Sequence, residues 1–304
     1  MPKENTHILF INDIIHELQC EETRSVLQAN YSSLCFGSIV ADTFFYSSNK
    51  DVMEISEKLH GKDGENTNEL TFDLLDRARC HRSDNLLAMT VGYISHCVFD
   101  IKFHPVIYYL VGNYYDNNDS VRQTAIYRHR LMETRLDHDI NNSFYLDNIL
   151  SLNDKLMHEI LEIIAGKYNI ANGHLIKAYK KQIVINKCFR NGLAYRLIFY
   201  LDKLKIRDFS KILPLFYHHL QNDNIEIAEK LDYRDIVHGR NMTESLSNLF
   251  VSAKSESINR INAAFAYYHD RIDKAGAMQI IRGESLDTGR EDCPVCNIAY
   301  SKSN

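Results

Sequence analysis

One apolar stretch of the chain carries three titratable side chains at intervals of four residues, namely His96, Asp100 and His104. Residues four apart lie on one face of an α-helix. Because neighbours such as Val98 and Phe103 are apolar, the stretch predicts a buried helix with three polar groups on one side. A buried polar group without a partner costs roughly 1–3 kcal/mol. The fold must therefore supply a shared partner, which is either a metal ion held by imidazole and carboxylate or a proton-sharing hydrogen-bond network.

The composition favours a large, mostly helical protein. The chain has 304 residues, of which 45% are hydrophobic, but only 12 Gly and 4 Pro, so a sizeable core is possible and tight turns are few. The formal net charge of -5 argues against a dedicated binder of duplex DNA. The chain begins with polar residues, and no stretch approaches about 20 uninterrupted apolar residues. We therefore expect a cytoplasmic protein without a membrane span, whose seven scattered cysteines are free thiols.

Apolar periodicity predicts helices along most of the chain. Their predicted ranges are 5–20, 22–31, 51–60, 71–82, 84–104, 106–112, 120–138, 153–167, 172–200, 209–221, 223–231 and 242–281. Pro105 is expected to end one helix and open the next, because the residue before a proline avoids the helical region. Since there is no clear linker, we expect an all-α fold with a core (1–140), a helical extension packed on it (141–282) and a polar tail (283–304).

The first half of the chain is rich in imidazole and carboxylate groups at helix ends and on helix faces. The candidate metal ligands are His7, Asp42, His60, His96, Asp100, His104, His129 and Glu133. They occur in the pieces Asn5-Thr6-His7, Ala41-Asp42, His60-Gly61, His96-x3-Asp100-x3-His104-Pro105 and His129-x3-Glu133. In this order the pieces resemble the zinc-dependent phospholipase C family, whose multi-helical fold is shared with the zinc nucleases of the S1/P1 type. The resemblance covers roughly residues 5–140.

The resemblance implies a cluster of two or three zinc ions. Its ligand groups would be Asp42, His60, His96 and Asp100 for one zinc, His104, His129 and Glu133 for a second, and His7 with a bridging Asp100 for a third. Such a cluster binds phosphodiester oxygens and lowers the pKa of a water molecule that attacks phosphorus. Asp42 would be the catalytic residue that orients or deprotonates this water.

The chain departs from the family pattern at the third zinc. Secreted members complete that site with the amino end of a leading Trp, but this chain has no Trp and six residues precede His7. The third site is therefore empty, weakly held, or completed by a side chain such as Glu4. Phospholipid is the substrate class that the resemblance implies, and Phe44, Phe45 and Tyr46 are candidates for a cation–π box around a headgroup.

Three further features lie outside the ligand pattern. Asp137 and His138 continue the helix face of His129, either beside the ligands or on the surface. Residues 177–207 contain nine Lys or Arg and one acid, with aromatic residues interleaved. This segment is either an ordinary solvated face or a surface for an anionic membrane or single-stranded nucleic acid. Cys293 and Cys296 have the spacing of half a zinc site without a second pair, so a disordered tail or a weak redox pair is expected.

The sequence therefore predicts a zinc-dependent phosphodiesterase that resembles phospholipase C and uses metal-activated water. A nuclease or nucleotide phosphodiesterase of the S1/P1 type is the alternative enzyme, because the same cluster serves both reactions. A metal-binding scaffold without catalytic activity, whose second half recruits a partner, is the alternative from a different class.

Overall fold

The computed structural model describes residues 3–140, 154–223, 225 and 227–302. The fold is all-α apart from one small hairpin, as the sequence predicts. Its α-helices are α1 (Glu4–Glu17), α2 (Glu21–Ala29), α3 (Tyr31–Gly37), α4 (Val40–Thr43), α5 (Lys50–Leu59), α6 (Asn68–His81), α7 (Asp84–Val111), α8 (Asp119–Ile140), α9 (Asp154–Tyr168), α10 (Asn172–Arg190), α11 (Gly192–Lys203), α12 (Leu246–Tyr268) and α13 (Lys274–Ile280). Short 3-10 helices span Phe44–Tyr46, Leu213–Leu215, Tyr217–Gln221 and Val295–Asn297.

Helix α7 is the central element of the fold. It has 28 residues, begins at the N-cap Ser83, whose side chain accepts a hydrogen bond from the Leu86 amide, and packs chiefly against α3, α6 and α12. By length and hydropathy it could cross a membrane, but 94% of its most apolar window is buried inside the protein. A helix that is apolar on nearly all sides is typical of a protein core, and α7 is such a core helix.

The predicted break at Pro105 is wrong, because α7 continues through this residue to Val111. A proline inside a helix removes the hydrogen bond to the carbonyl four residues earlier, at a cost of about 3 kcal/mol. The carbonyl concerned is that of Ile101, and the backbone of Gly289 lies against it: a Cβ at Gly289 would be 2.8 Å from this oxygen. The residues on both sides of Pro105 are buried, and this packing keeps the helix intact. His104 therefore stays on the helix that carries Asp100.

Two glycines allow α3 and α7 to cross at very short range. A Cβ on Gly92 would lie 2.1 Å from the carbonyl oxygen of Leu34, and one on Gly37 would lie 1.9 Å from that of Met89. Real Cβ atoms do not approach so closely, so any larger residue would force the helices apart. The close crossing brings the backbone after α3, at Ser38, up to the side chain of His96.

A two-stranded hairpin replaces part of the predicted helices 223–231 and 242–281. Its antiparallel strands are β1 (Lys230–Arg234) and β2 (Asn241–Ser245). The turn is stabilised by Asp235, whose side chain accepts hydrogen bonds from two backbone amides in the turn, and by Gly239 with φ +70°. Side-chain bonds of this kind favour turns over helices, and Ser245 then caps α12.

The segment 283–302 packs on the core instead of extending from it as a free polar tail. Leu286 is fully buried, and its amide donates to the carbonyl of His60. Further along, the Val295 amide donates to the Lys62 carbonyl and the Ala299 amide to the Ile236 carbonyl. Backbone pairing with distant residues holds this segment, which helical periodicity does not detect.

One hydrophobic cluster joins the predicted core to the predicted extension. It includes Leu175 and Tyr179 of α10 and Ile261 of α12 together with the buried residues of α1 and α7. The second half of the described chain therefore contributes to the same core as the first.

Candidate metal centre

The fold brings all eight predicted ligand residues into one buried region. His7 lies on α1, Asp42 on α4, His60 directly after α5, and the others on α7 and α8. Their atoms form three groups, which are His7 with His96 and Asp100; Asp42 with His60 and His96; and His104 with His129 and Glu133. Each of the eight residues is at most 5% exposed. The group of His104, His129 and Glu133 is the predicted one. The other two groups differ from the prediction, because the residue that they share is His96 and not Asp100.

Asp100 lies between the groups and uses both of its carboxylate oxygens. Its Oδ1 is 3.6 Å from His7 Nε2 and 3.7 Å from His104 Nε2. Its Oδ2 is 3.2 Å from His96 Nε2 and 3.7 Å from His60 Nε2. This placement fits the predicted bridging role, because each oxygen faces a different pair of imidazoles.

Backbone carbonyls orient three of the imidazoles. The Nδ1 atoms of His60, His96 and His104 lie 2.6, 2.9 and 3.1 Å from the carbonyl oxygens of Ser56, Ser38 and Leu286, respectively. These contacts place a donor proton on Nδ1, so that Nε2 of each ring faces the cluster and offers a lone pair there when the ring is neutral. Histidines that bind metals usually show this arrangement.

Many polar atoms of the cluster have no hydrogen-bond partner among the described residues. They are both ring nitrogens of His7, Oδ1 of Asp42, both oxygens of Asp100, and Nε2 of His60, His96 and His104. Leaving even one such atom unsatisfied costs roughly 1–3 kcal/mol. A cluster with this many unsatisfied atoms therefore requires a common partner. Five imidazoles and three carboxylates are a donor set that suits zinc. The residues therefore fit the metal that the sequence implies.

Electrostatics keep the carboxylates of Asp100 and Asp42 ionised. Burial raises the pKa of Asp100, but the imidazoles of His104, His96 and His7 outweigh it and hold the pKa well below its ordinary value. Asp42 shows the same balance, and its pKa is lowered by His96 and His60. Ionised carboxylates are the form that binds a cation.

The two sides of the cluster differ in their imidazole pKa values. Burial lowers the pKa of His60, yet Asp100 and Asp42 raise it to about 10. Burial and the neighbouring His96 lower the pKa of His7 to about 3, so this ring is neutral. A neutral ring is ready to coordinate a metal, whereas His60 would release its proton when a cation enters.

Asp287 also lies at the site, although the sequence did not predict it there. It is buried, and its Oδ1 is 3.4 Å from His104 Nδ1. The same carboxylate accepts hydrogen bonds from the hydroxyls of Tyr108 and Tyr115, at 2.7 and 3.1 Å. Burial raises its pKa, but the hydrogen bond and charge of His104 lower it on balance. Asp287 comes from the segment predicted to be a polar tail, where nothing in the local sequence marks it.

Asp137 anchors the start of α1, next to His7. Its carboxylate accepts from the Thr6 amide at 2.8 Å, the Thr6 hydroxyl at 3.0 Å and the Asn5 side chain at 2.9 Å. The Tyr217 hydroxyl also donates to it. Of the two places predicted for Asp137, the one beside the ligands is therefore correct, whereas His138 is exposed.

Glu4 is not a member of the His7 group. Its Oε1 accepts from the side chains of Tyr46, Gln182 and Asn186 in a buried network of its own. Of the predicted aromatic box, Phe44 is fully buried, and the ring of Phe45 lies 5.5 Å from that of His60. Phe45 is thus the member of the box that borders the cluster.

All seven cysteines are free. Cys293 is buried and Cys296 is exposed, and neither belongs to a metal-binding group among the described residues.

An all-α fold around a buried imidazole and carboxylate cluster is an architecture that suits a metal-binding helical protein. A family model for zinc dependent phospholipase C matches residues 6–183, more than half of the chain. The chain therefore belongs to the zinc-dependent phospholipase C family. The matched region passes the predicted boundary at residue 140 and includes α9 and most of α10. No curated protein and no solved structure gave a significant match.

Proposed function

We propose that this protein is a zinc-dependent hydrolase of phosphodiesters, with phospholipid as its substrate class. The observation that carries the proposal is the convergence of eight candidate ligand side chains in one buried region. Six of them, on α1, α4 and α7 and after α5, have nitrogen or oxygen atoms without a hydrogen-bond partner among the described residues. Family membership supports zinc as the metal and a phosphoester as the substrate.

The residues would hold zinc in the three observed groups, with Asp100 between them. Zinc bound here would lower the pKa of a water molecule and withdraw charge from phosphoryl oxygens. The chain itself supplies orientation: backbone carbonyls hold the rings of His60, His96 and His104 with Nε2 directed inward. The ionised Asp42 carboxylate would orient the attacking water or accept its proton.

The same cluster would serve a nuclease, so the substrate must be decided by experiment. Phe45, beside His60, offers one aromatic face to a substrate, and such a face suits a cationic headgroup and a nucleobase alike.

A second candidate function is that of a metal-binding scaffold without catalysis. The observation that favours it is the burial of the cluster, since none of the eight residues is more than 5% exposed. Segment 283–302 contributes to this cover, because Leu286 and Asp287 contact His60 and His104. A hydrolase with this architecture needs an opening through which the phosphoester reaches Asp42.

Metal content and a substrate panel test the proposal. We expect at least two zinc ions per chain by elemental analysis, together with hydrolysis of bis-nitrophenyl phosphate and of phospholipid. Less than two zinc per chain would contradict the enzyme proposal as stated. Cleavage of single-stranded nucleic acid without cleavage of lipid would favour the nuclease, and full zinc loading without any hydrolysis would favour the scaffold.

The variant Asp100→Asn tests the assignment of the cluster. We expect it to lose zinc and activity together, because both Asp100 oxygens face ligand nitrogens. Glu284→Gln is the matched control: Glu284 is also buried, but its carboxylate pairs with Arg260, so zinc binding should survive. Full activity in Asp100→Asn would overturn the assignment.

A further inference from the structure

Helix α11 (Gly192–Lys203) exposes a continuous apolar stripe. Leu193, Leu197, Tyr200 and Leu204, the residue that follows the helix, are 59–75% exposed. Their spacing of four, three and four residues places them on one helix face. Single exposed apolar residues are ordinary, whereas a contiguous row marks an interaction surface. Ile206, which is 65% exposed, extends this row beyond the helix.

A dense set of exposed cations surrounds the stripe. The exposed cationic residues of this region are Lys177, Lys180, Lys181, Lys187, Arg196, Lys203, Lys205 and Arg207. The one acid between residues 177 and 207 is Asp202, and its side chain accepts a hydrogen bond from the Phe209 amide. Because the whole chain carries a formal charge of -5, this region has the opposite sign to the protein as a whole.

Several of these cations have no carboxylate partner in the part of the chain that the structure describes. Arg196, Lys203 and Lys205, which flank the stripe, are among them, since no ion pair is formed by their side chains there. Positive charge left unpaired beside an apolar row is complementary to a surface that is both anionic and apolar. A phospholipid membrane with anionic headgroups has both properties.

The exposed side chains of the stripe distinguish a membrane from nucleic acid. Single-stranded nucleic acid is bound by aromatic side chains on which bases stack. Of the interleaved aromatic residues, Tyr179, Phe189 and Tyr195 are buried and Phe199 is half-buried. Only Tyr200 among them is exposed, and the rest of the stripe is aliphatic. Aliphatic side chains insert among lipid tails but offer no stacking face.

The buried side of α11 packs near the segment that carries Asp42. Beneath the helix, Phe189, Tyr195, Leu213 and Phe216 form a separate hydrophobic cluster, against which Tyr46 packs. On α10, Gln182 contacts the Thr43 hydroxyl at 2.8 Å. Helix α10 therefore presents cations outward and contacts, on its inner side, the residue that follows Asp42.

We propose that the apolar stripe of α11 and its flanking cations dock the protein onto an anionic phospholipid surface. The helix lies along the surface, with its leucines in the outer part of the acyl region and its cations among the headgroups. Docking does not depend on catalysis, so it can be tested whether or not the proposed hydrolase activity is found.

The test is co-sedimentation of the full chain with vesicles. We expect binding to phosphatidylcholine vesicles that contain about 30% phosphatidylserine, and binding that weakens as salt is raised. Leu197→Ser combined with Leu204→Ser should weaken binding by about tenfold or more, because it removes two membrane-inserting side chains. Lys203→Gln combined with Lys205→Gln should weaken binding to anionic vesicles and reduce its salt dependence.

Val251→Ser is the matched control, because Val251 on α12 is 61% exposed, as Leu197 is. We expect it to bind vesicles like the unaltered chain. Circular dichroism and hydrolysis of a water-soluble diester should be the same for all variants, which separates docking from folding and catalysis. The proposal is overturned if the unaltered chain ignores anionic vesicles or if the leucine variant still binds fully. It is also overturned if the stripe instead mediates dimers in light scattering or retains single-stranded DNA in preference to vesicles.

Discussion

Replacing Asp287 by Asn should weaken zinc binding without unfolding the protein. The Asp287 carboxylate lies 3.4 Å from Nδ1 of His104, on the side of the ring opposite to the ligand nitrogen. Its negative charge raises the electron density of the imidazole and stabilises the positive charge that the ring shares with a bound cation. Asparagine keeps the shape and one acceptor oxygen for the Tyr108 hydroxyl, so the change removes the charge and the one hydrogen bond from Tyr115.

The size of the effect follows from this separation. Two unit charges 3.4 Å apart interact by roughly 5 kcal/mol at an effective dielectric of about 20. The imidazole carries only part of a charge when it binds zinc, and the Leu286 carbonyl still accepts from Nδ1. We therefore expect a loss of about 10- to 100-fold in zinc affinity, which equals roughly 1.4–2.8 kcal/mol. The free energy of unfolding without zinc should change by about 1 kcal/mol or less.

Zinc affinity is measured by competition with a chromophoric chelator, and unfolding by denaturant with and without zinc. Glu284→Gln is the control, since it removes a buried carboxylate of the same segment that pairs with Arg260. It should lower stability, by about 3–5 kcal/mol, and leave zinc affinity unchanged. If Asp287→Asn bound zinc as tightly as the unaltered chain, the role given to Asp287 would be refuted.

Three further outcomes are expected. Gly92→Ala should lower the free energy of unfolding in denaturant titrations by about 2 kcal/mol or more, because its Cβ would clash with the Leu34 carbonyl. Gly166→Ala is the control and should be neutral or stabilising, because a Cβ there meets nothing within 4 Å. Glu4→Gln should leave the zinc content unchanged in elemental analysis, since its carboxylate contacts Tyr46 and other residues outside the cluster; loss of one zinc would show that Glu4 is a ligand. Removing zinc with a chelator should lower the melting temperature in calorimetry, and adding zinc should restore it, because a ligand that binds only the folded state stabilises it. An unchanged melting temperature would argue against a metal in the cluster.

The order and spacing of the ligand residues were readable from the sequence because most of them are local. His96, Asp100 and His104 share one helix, and His129 and Glu133 another, so a period of four residues is enough to place each set on one helix face. The all-α fold was readable for a similar reason, since apolar periodicity reports helices wherever a helix buries one face.

Errors arose where long-range contacts override local preference. Pro105 disfavours a helix locally, yet the buried surroundings of α7 keep it helical. The predicted helices 223–231 and 242–281 extend into the two ends of the hairpin 230–245, whose turn depends on contacts between the Asp235 side chain and backbone amides. The fold of segment 283–302 depends on backbone pairing with residues such as His60 and Ile236, and no periodic pattern encodes such pairing.

By itself, the sequence determined which residue types could bind a metal, most of the helices that carry them, and the family to which the chain belongs. Only the tertiary structure decided that His96 belongs to two of the candidate ligand groups, that Asp100 faces four imidazoles, and that Asp287 lies against His104. The physical reason is that ligand spacing along a helix is a local property. In contrast, the close crossing of α3 and α7 at Gly37 and Gly92 depends on the packing of the whole chain. The same holds for the pairing of segment 283–302 with distant residues.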